Sequence, residues 1–272
     1  MKLFFGFLLA SVAIGAQAQQ SRLVKLWESD TTLAIPESVL PDTQKGILYV
    51  SLINGGPWDK DGKGEIAQLD LNGKIINANW ASGLNAPKGM ALVGNRLYVA
   101  DVTDVVIINT ANGKAISKIP VEGGEMLNDV TADSQGTVYV SDSKNGTVHK
   151  IQNGKASLFL SNLNGVNGLK ATSDGLYVLT KELSRADRNG QLTKIAELEQ
   201  GGDGLEPMGD GSFIASSWVG TIYHVQKDGT TTLLLDTREQ KKNTADIGYD
   251  PAKKIVYVPT FFGKSIVAYQ LQ

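Results

Sequence analysis

The sequence predicts an all-β chain, a six-bladed β-propeller of four-stranded blades, on three observations. An apolar-aromatic strand followed by small or acidic residues returns six times, starting at Leu48, Leu97, Val138, Leu176, Phe213 and Val256. The starts lie about 37 to 49 residues apart, the period of one blade. Each of the first five copies is followed by a second strand that ends in a Gly, Asn or Asp turn, as in Ile66 to Gly73, Val105 to Gly113, Thr147 to Gly154, Leu183 to Gly190 and Thr221 to Gly229. Those turns suit tight hairpins, because Asn and Gly accept positive φ at little cost. Finally, no segment of useful length carries a helical period.

The last copy is followed only by Ser265 to Gln272, so the sixth blade lacks its outermost strand. The alternating run Leu23 to Glu28 is the expected filler, and such closure would remove an exposed sheet edge. Ahead of it, Lys2, an apolar stretch from Leu3 to Gly15 and Ala16-Gln17-Ala18 have the charge, core and small-residue exit of a secretory signal peptide. Residues 1–18 are therefore expected to be a signal peptide and 19–272 a single propeller domain, secreted or periplasmic in a bacterium. The chain has no cysteine, which excludes thiol catalysis and thiolate metal sites. A formal net charge of −2 with no block of Lys or Arg gives no electrostatic footprint for nucleic acid. After signal cleavage no membrane association is expected, and a small-molecule partner is the default.

Each aromatic strand is preceded by a shorter segment that must run along the central channel. Aligning the six segments on the strand that follows places Glu37, Lys88, Asn128, Asn167, Asp203 and Asp246 at one register position. All are polar, and blade pseudo-symmetry makes them converge on the channel mouth. Carboxylates gathered there repel one another unless protons or a cation intervene. Two amides and two or three carboxylates favour a hard cation of high coordination number, calcium ahead of magnesium or zinc. Two alternatives stay open: the Lys88 ammonium in the place of a metal, and a merely hydrated polar channel.

Pro36-Glu37-Ser38-Val39, Asn128, Val166-Asn167-Gly168-Leu169 and Asp203-Gly204, in that order and one per blade, resemble the senescence-marker-protein and gluconolactonase family of calcium-dependent six-bladed propellers, which is related to paraoxonases and strictosidine-synthase-like proteins. The resemblance runs over the mature chain. It implies that Glu37, Asn167 and Asp203 are metal ligands with Asn128 in support, and that Asp203 doubles as the catalytic general base. Two features depart from it: Lys88 stands in the ring, and no arginine follows the second aromatic strand to grip an acidic sugar.

Residues leaving the aromatic strands should form the functional rim, which places Trp58, Asp101, Asp142, Lys181, Trp218 and Phe261 around a sugar-like or aromatic ligand. His149 and His224 fall in third strands, away from the channel. No Gly-x-Ser-x-Gly elbow occurs, so a covalent serine mechanism is unsupported. The sequence thus points to an exported calcium-dependent hydrolase that opens a lactone or related ester by water attack. The alternative is a non-catalytic propeller that binds a small molecule, glycan or protein at its rim.

Overall fold

The computed structural model describes residues 22–272. The expected signal peptide lies outside the described residues. Strand β1 (Leu23–Glu28) comes first. Blade 1 is β2 (Pro36–Asp42), β3 (Ile47–Leu52), β4 (Gly64–Asp70) and β5 (Ile75–Leu84). Blade 2 is β6 (Pro87–Val93), β7 (Arg96–Asp101), β8 (Asp104–Asn109) and β9 (Ala115–Pro120). Blade 3 is β10 (Leu127–Ala132), β11 (Val138–Asp142), β12 (Thr147–Gln152) and β13 (Lys155–Leu160). Blade 4 is β14 (Leu169–Thr172), β15 (Gly175–Leu179), β16 (Glu182–Ala186) and β17 (Leu192–Glu197). Blade 5 is β18 (Leu205–Pro207), β19 (Phe213–Ser217), β20 (Thr221–Val225) and β21 (Thr231–Asp236). Blade 6 is β22 (Gly248–Asp250), β23 (Ile255–Pro259) and β24 (Ile266–Leu271), completed by β1.

All ladders within the blades are antiparallel, and the closure is the one the sequence predicts. Leu23 faces Leu271 and Glu28 faces Val267, so the first strand among the described residues is the outermost strand of blade 6. The Glu28 carboxylate fastens that seam by accepting from Ser265 Oγ at 2.8 Å and from Lys242 Nζ at 2.7 Å. Burial would raise its pKa, but the bonds from Lys242, Lys25 and Ser265 outweigh it and hold the carboxyl at about 2.

The second strand of each blade is buried on both faces, because each sheet packs on two neighbours, while outermost strands such as Ala115–Pro120 are largely exposed. Six apolar clusters result, one per blade interface. The repeated aromatic motif supplies them: Leu48, Val50 and Tyr257 meet between blades 6 and 1, and Tyr177 and Phe213 stack at 4.4 Å between blades 4 and 5. At about 25 cal/mol per Å² of apolar surface removed from water, these interfaces are the main favourable term in a chain without disulfides. Of the Asn and Gly turn pairs, only Asn153-Gly154 takes positive φ at both residues, 51° and 73°. At the other pairs Gly alone does so, and an Asp or Asn side chain two or three residues earlier closes the turn, as Asp70 Oδ1 does on the Asn72 and Lys74 amides.

Candidate functional site at the channel mouth

Every innermost strand is interrupted at the same place. In blades 1 to 3 the register slips between Pro36 and Val39, Pro87 and Met90, and Leu127 and Val130. In blade 4 Leu179 bonds Asn167 and Gly168 together, and in blade 5 Ser216 bonds Asp203 and Gly204. In blade 6 Ala245 bonds Pro259 while Gly248 faces Tyr257, which leaves Asp246 and Ile247 opposite one residue. Two residues therefore oppose one in each blade, the count of a β-bulge, a device that re-aims side chains next to active sites. The first bulge residue of each blade is Glu37, Lys88, Asn128, Asn167, Asp203 or Asp246, so the sequence alignment has the register of the structure.

The second bulge residue faces the next blade. A Cβ at Gly89 would collide with Asp129, one at Gly168 with the Asp203 carbonyl, and one at Gly204 with Asp246 and Ile247. Glycine lets the inner strands approach around the axis. In blade 1 that position is Ser38, whose hydroxyl donates to Asp246 Oδ2 at 2.5 Å. In blades 1, 3 and 5 a serine on the second strand accepts the bulge amide, Ser51 from Ser38, Ser141 from Asp129 and Ser216 from Gly204.

The side chains at the mouth are largely dehydrated. Glu37 is 5 %, Lys88 2 % and Asp203 2 % exposed. Burial raises the Glu37 carboxyl well above the usual carboxylate range, and the Asp203 and Asp246 charges add to this while Lys88 opposes it. Burial and the Asp246 charge push Asp203 up to about 8, against a hydrogen bond from Asn167 and the Lys88 charge. Lys88 is pulled down by burial, with Glu37, Asp203 and Asp101 opposing. Its ammonium lies 4.2 Å from the centre of the Trp58 ring, a cation–π contact. Among the described residues no carboxylate oxygen stands within ion-pair distance of it.

The amide nitrogens of the mouth are provided for, whereas one carboxylate oxygen is not. Asn167 Nδ2 donates to Asp203 Oδ1 at 2.7 Å. Asn128 Nδ2 donates to Ser143 Oγ at 3.1 Å, and Ser143 in turn donates to the Val166 carbonyl at 2.7 Å. Both amide nitrogens are thus committed to protein, which turns the carbonyl oxygens away from those partners. Glu37 Oε2 is fully buried and has no hydrogen-bond partner. An orphaned carboxylate oxygen in a ring that also carries two Asn side chains is the donor chemistry of a hard cation. Among the described residues no three His, Cys, Asp or Glu side chains group as a metal site by themselves, so a cation here would need the Asn carbonyls as well.

Asp246 belongs to a second level of the channel. With Ser38, Asp129, Lys170 and Glu206 it lines a cavity of about 250 Å³ bounded by the far ends of the inner strands. Burial pushes its pKa up to about 7, Ser38 opposing. Sequence reasoning missed Asp129, Lys170 and Glu206. The usable signal was charge at equivalent positions of adjacent blades, since Lys170 follows Leu169 as Glu206 follows Leu205.

The expected rim divides. Asp101 and Asp142 are wholly buried loop clamps, not ligand-facing groups: Asp101 Oδ1 accepts the Asn85 and Ala86 amides, and Asp142 accepts those of Glu125, Met126, Lys144 and Asn145. Acidic residues leaving a strand hold the neighbouring loop because its amides have no ladder partner. Lys181 is exposed and pairs with Glu197 at 3.1 Å. Trp58 covers Lys88, whereas Trp218 and Phe261 stack with Phe262 on blades 5 and 6. His149 and His224 lie in β12 and β20, third strands.

No family model and no curated protein matches the sequence. Solved structures do match the fold. A gluconolactonase from Xanthomonas campestris is similar with a TM-score of 0.70 at 15 % identity, over 97 % of this chain and 94 % of that one. A catalytically inactive virginiamycin B lyase from Staphylococcus aureus with quinupristin gives 0.66 at 14 % identity, over 93 % and 100 %. A streptogramin B lyase gives 0.66 at 12 % identity, over 93 % and 98 %. At such identities the likeness is one of architecture: the chain is a six-bladed propeller of the kind that carries a gluconolactonase and streptogramin lyases among its members.

Proposed function

We propose that the channel mouth is a calcium-dependent hydrolytic site that opens a lactone or related ester, as in the gluconolactonase-type family the motifs resemble. The observation that carries this reading is the buried, unpartnered Glu37 Oε2, at the same bulge position as Asn128 and Asn167, whose amide nitrogens are already committed. Glu37, Asn167 and Asp203 would hold the cation with Asn128 in support. When bound, calcium supplies the positive charge that polarises the scissile carbonyl and relieves the crowding of carboxylates. Asn167 fixes Asp203 through Oδ1, which leaves Oδ2 as the basic atom. Asp203 takes a proton from water as the water oxygen bonds to the carbonyl carbon. The ring C–O bond then breaks, and the same carboxyl returns the proton to the leaving alkoxide. Trp58 and the buried Lys88 exclude bulk water from one side of the mouth.

The test is calorimetric titration of calcium into chelator-stripped mature protein, with Glu37→Gln and Asp203→Asn as controls, followed by a lactone and ester panel. Binding lost in both variants, with hydrolysis in the wild type, supports the reading. Binding without hydrolysis across the panel removes the enzyme.

A second reading is favoured by one observation, the buried Lys88 within charge reach of Glu37 and Asp203. There the lysine replaces the metal and the propeller binds a small molecule, glycan or protein without catalysis. Lys88→Ala separates the two: ligands of a true calcium site keep their affinity, whereas removing a lysine plug raises it. Export is proposed on the N-terminal sequence pattern, and a mature protein that begins at Gln19 by mass spectrometry would support it.

A further inference from the structure

Three aromatic rings stand together at the mouth end of blades 5 and 6. Trp218 meets Phe261 at 5.5 Å and Phe262 at 6.0 Å, and Phe261 meets Phe262 at 4.8 Å, all edge to face. Phe261 is buried, but Phe262 is 64 %, Trp218 41 % and Val219 42 % exposed. Large apolar side chains are rarely left together in water without a use.

The fold goes to some cost to present them. Phe261 has φ of 50° and Lys264 of 58°, conformations that disfavour residues with a Cβ. The turn between is pinned by Thr260, which bonds Ser265 through its amide and its hydroxyl, both at 2.9 Å. Beneath, Phe261 packs with Ile53, Ala86, Val102, Ala245 and Ile35. Ile35 and Val102 are β-branched and also left-handed, at 58° and 61°. Such strain persists only where surrounding contacts over-determine it, and it concentrates at ligand sites.

Position ties the patch to the ring. Ala245 precedes Asp246, Ile35 and Pro36 precede Glu37, and the Ser217 hydroxyl beside Trp218 bonds the Gly201 carbonyl two residues before Asp203. Around the same mouth, blade 3 presents Asn128 and Ser143, and blade 4, next to blade 5, presents Asn167. The aromatic shelf therefore borders the polar ring directly.

We propose that the Trp218, Phe261 and Phe262 shelf is a specificity subsite for an apolar alkyl or aryl group next to the reacting carbonyl, so that the substrates are amphiphilic lactones or esters and not sugar lactones. The inference rests on the hydrolytic reading for the carbonyl, while the shelf itself is read from the aromatic cluster.

The experiment compares γ-butyrolactone, γ-dodecalactone and D-glucono-δ-lactone on calcium-loaded mature protein, in the wild type, Phe262→Ser, Phe262→Leu and Trp218→Ala. The wild type should prefer the long alkyl lactone over both others through KM. The long-to-short ratio of kcat/KM should fall about tenfold in Phe262→Ser and Trp218→Ala and recover in Phe262→Leu, since the surface lost is apolar contact. A wild type that prefers the sugar lactone, or a ratio unmoved by the variants, overturns the subsite. A dodecyl γ-lactam, which resists hydrolysis, separates the two readings by calorimetry. If no lactone is turned over but the lactam binds about tenfold more weakly to Phe262→Ser, the shelf stands and the enzyme falls. No lactam binding overturns the shelf, as does a wild-type dimer in sedimentation that Phe262→Ser makes monomeric.

Discussion

At the far level of the channel, Lys170 and Glu206 meet at 2.6 Å, and both Asp129 oxygens accept backbone amides at 2.6 Å, from Val130 and from Leu169 of the next blade. At the mouth, Glu37 Oε2 has no partner, and among the described residues the Lys88 ammonium meets an aromatic face in place of a carboxylate. Both levels gather charge along the inner strands, the far one in a cavity that leaves Lys170 and Glu206 partly solvated. The far level is internally satisfied, whereas the mouth has donors and acceptors left over. Buried polar groups are nearly always hydrogen-bonded, so the exceptions deserve a chemical reason. The comparison teaches that pseudo-symmetric positions in one channel divide into a layer whose charged groups meet protein partners and a layer where a buried carboxylate oxygen is left without one.

Mutation should expose that division, and the largest effect is expected at the far level. Asp129→Ala strands two buried amides and opens a gap between blades 3 and 4, for a loss of about 3 kcal/mol in unfolding free energy. Urea denaturation monitored by tryptophan fluorescence would measure it. Glu37→Gln at the mouth should change stability by less than about 1 kcal/mol, since it removes an unpartnered charge, yet eliminate calcium binding. If Glu37→Gln destabilised as much as Asp129→Ala, the mouth would be structural too. Lys170→Met comes next in size, at roughly 2 kcal/mol, because it leaves Glu206 without its counter-charge in a partly solvated cavity. Adding Glu206→Leu should recover most of that loss.

A third comparison uses pH. Asp203 and Asp246 have folded-state pKa values of about 8 and about 7, raised by burial from an ordinary 3.8. Between about 4 and 8 the folded chain holds protons that the unfolded chain has released, so stability of the calcium-free protein should fall as pH rises through that window. On the proposed reading calcium would bind the ionised form; its affinity should then increase with pH up to about 8, and saturating calcium should flatten the stability decline. Thermal melts at pH 5, 7 and 9 with and without calcium would check both. A calcium-free protein that gained stability over this range would remove the crowding of carboxylates on which the metal reading depends.

The fold was legible because propeller blades write themselves into sequence as a repeat. Six copies of one strand motif, the closing run Leu23 to Glu28 and the ring register could all be placed from spacing. The bulges make that register work: each inserts one residue at an equivalent point, so a simple alignment of inner strands stays in phase. Depth along the channel was not legible. Asp246 has the same register as Glu37, but the Ser38 hydroxyl draws it to the far level, and a hydrogen bond between residues 208 positions apart leaves no local trace. The roles of Asp101 and Asp142 were hidden for a related reason. An Asp at a strand exit reads the same whether it faces a ligand or clamps a loop, and only the amides around it decide. Glu206 and Lys170 lay within reach of pattern reading, and the pair was missed because only one register position was followed around the ring.

The smallest effect expected would sharpen the division most. Ser143 stands behind Asn128, accepting its amide and donating to the Val166 carbonyl one residue before Asn167. It touches none of the proposed reacting atoms, so it is a positioning residue. Ser143→Ala removes the hydroxyl that holds the Asn128 amide nitrogen and ties it to the Val166 carbonyl of the segment leading into blade 4. The stability loss should be about 1 kcal/mol, that of one part-buried hydrogen-bond link. A purely structural role would stop there. A role in holding oxygens for a cation predicts in addition a several-fold loss of calcium affinity, restored by Ser143→Thr, which keeps the hydroxyl. Calorimetry on the three proteins decides it. Unchanged affinity in Ser143→Ala would place Asn128 outside the ligand set and reduce the site to Glu37, Asn167 and Asp203.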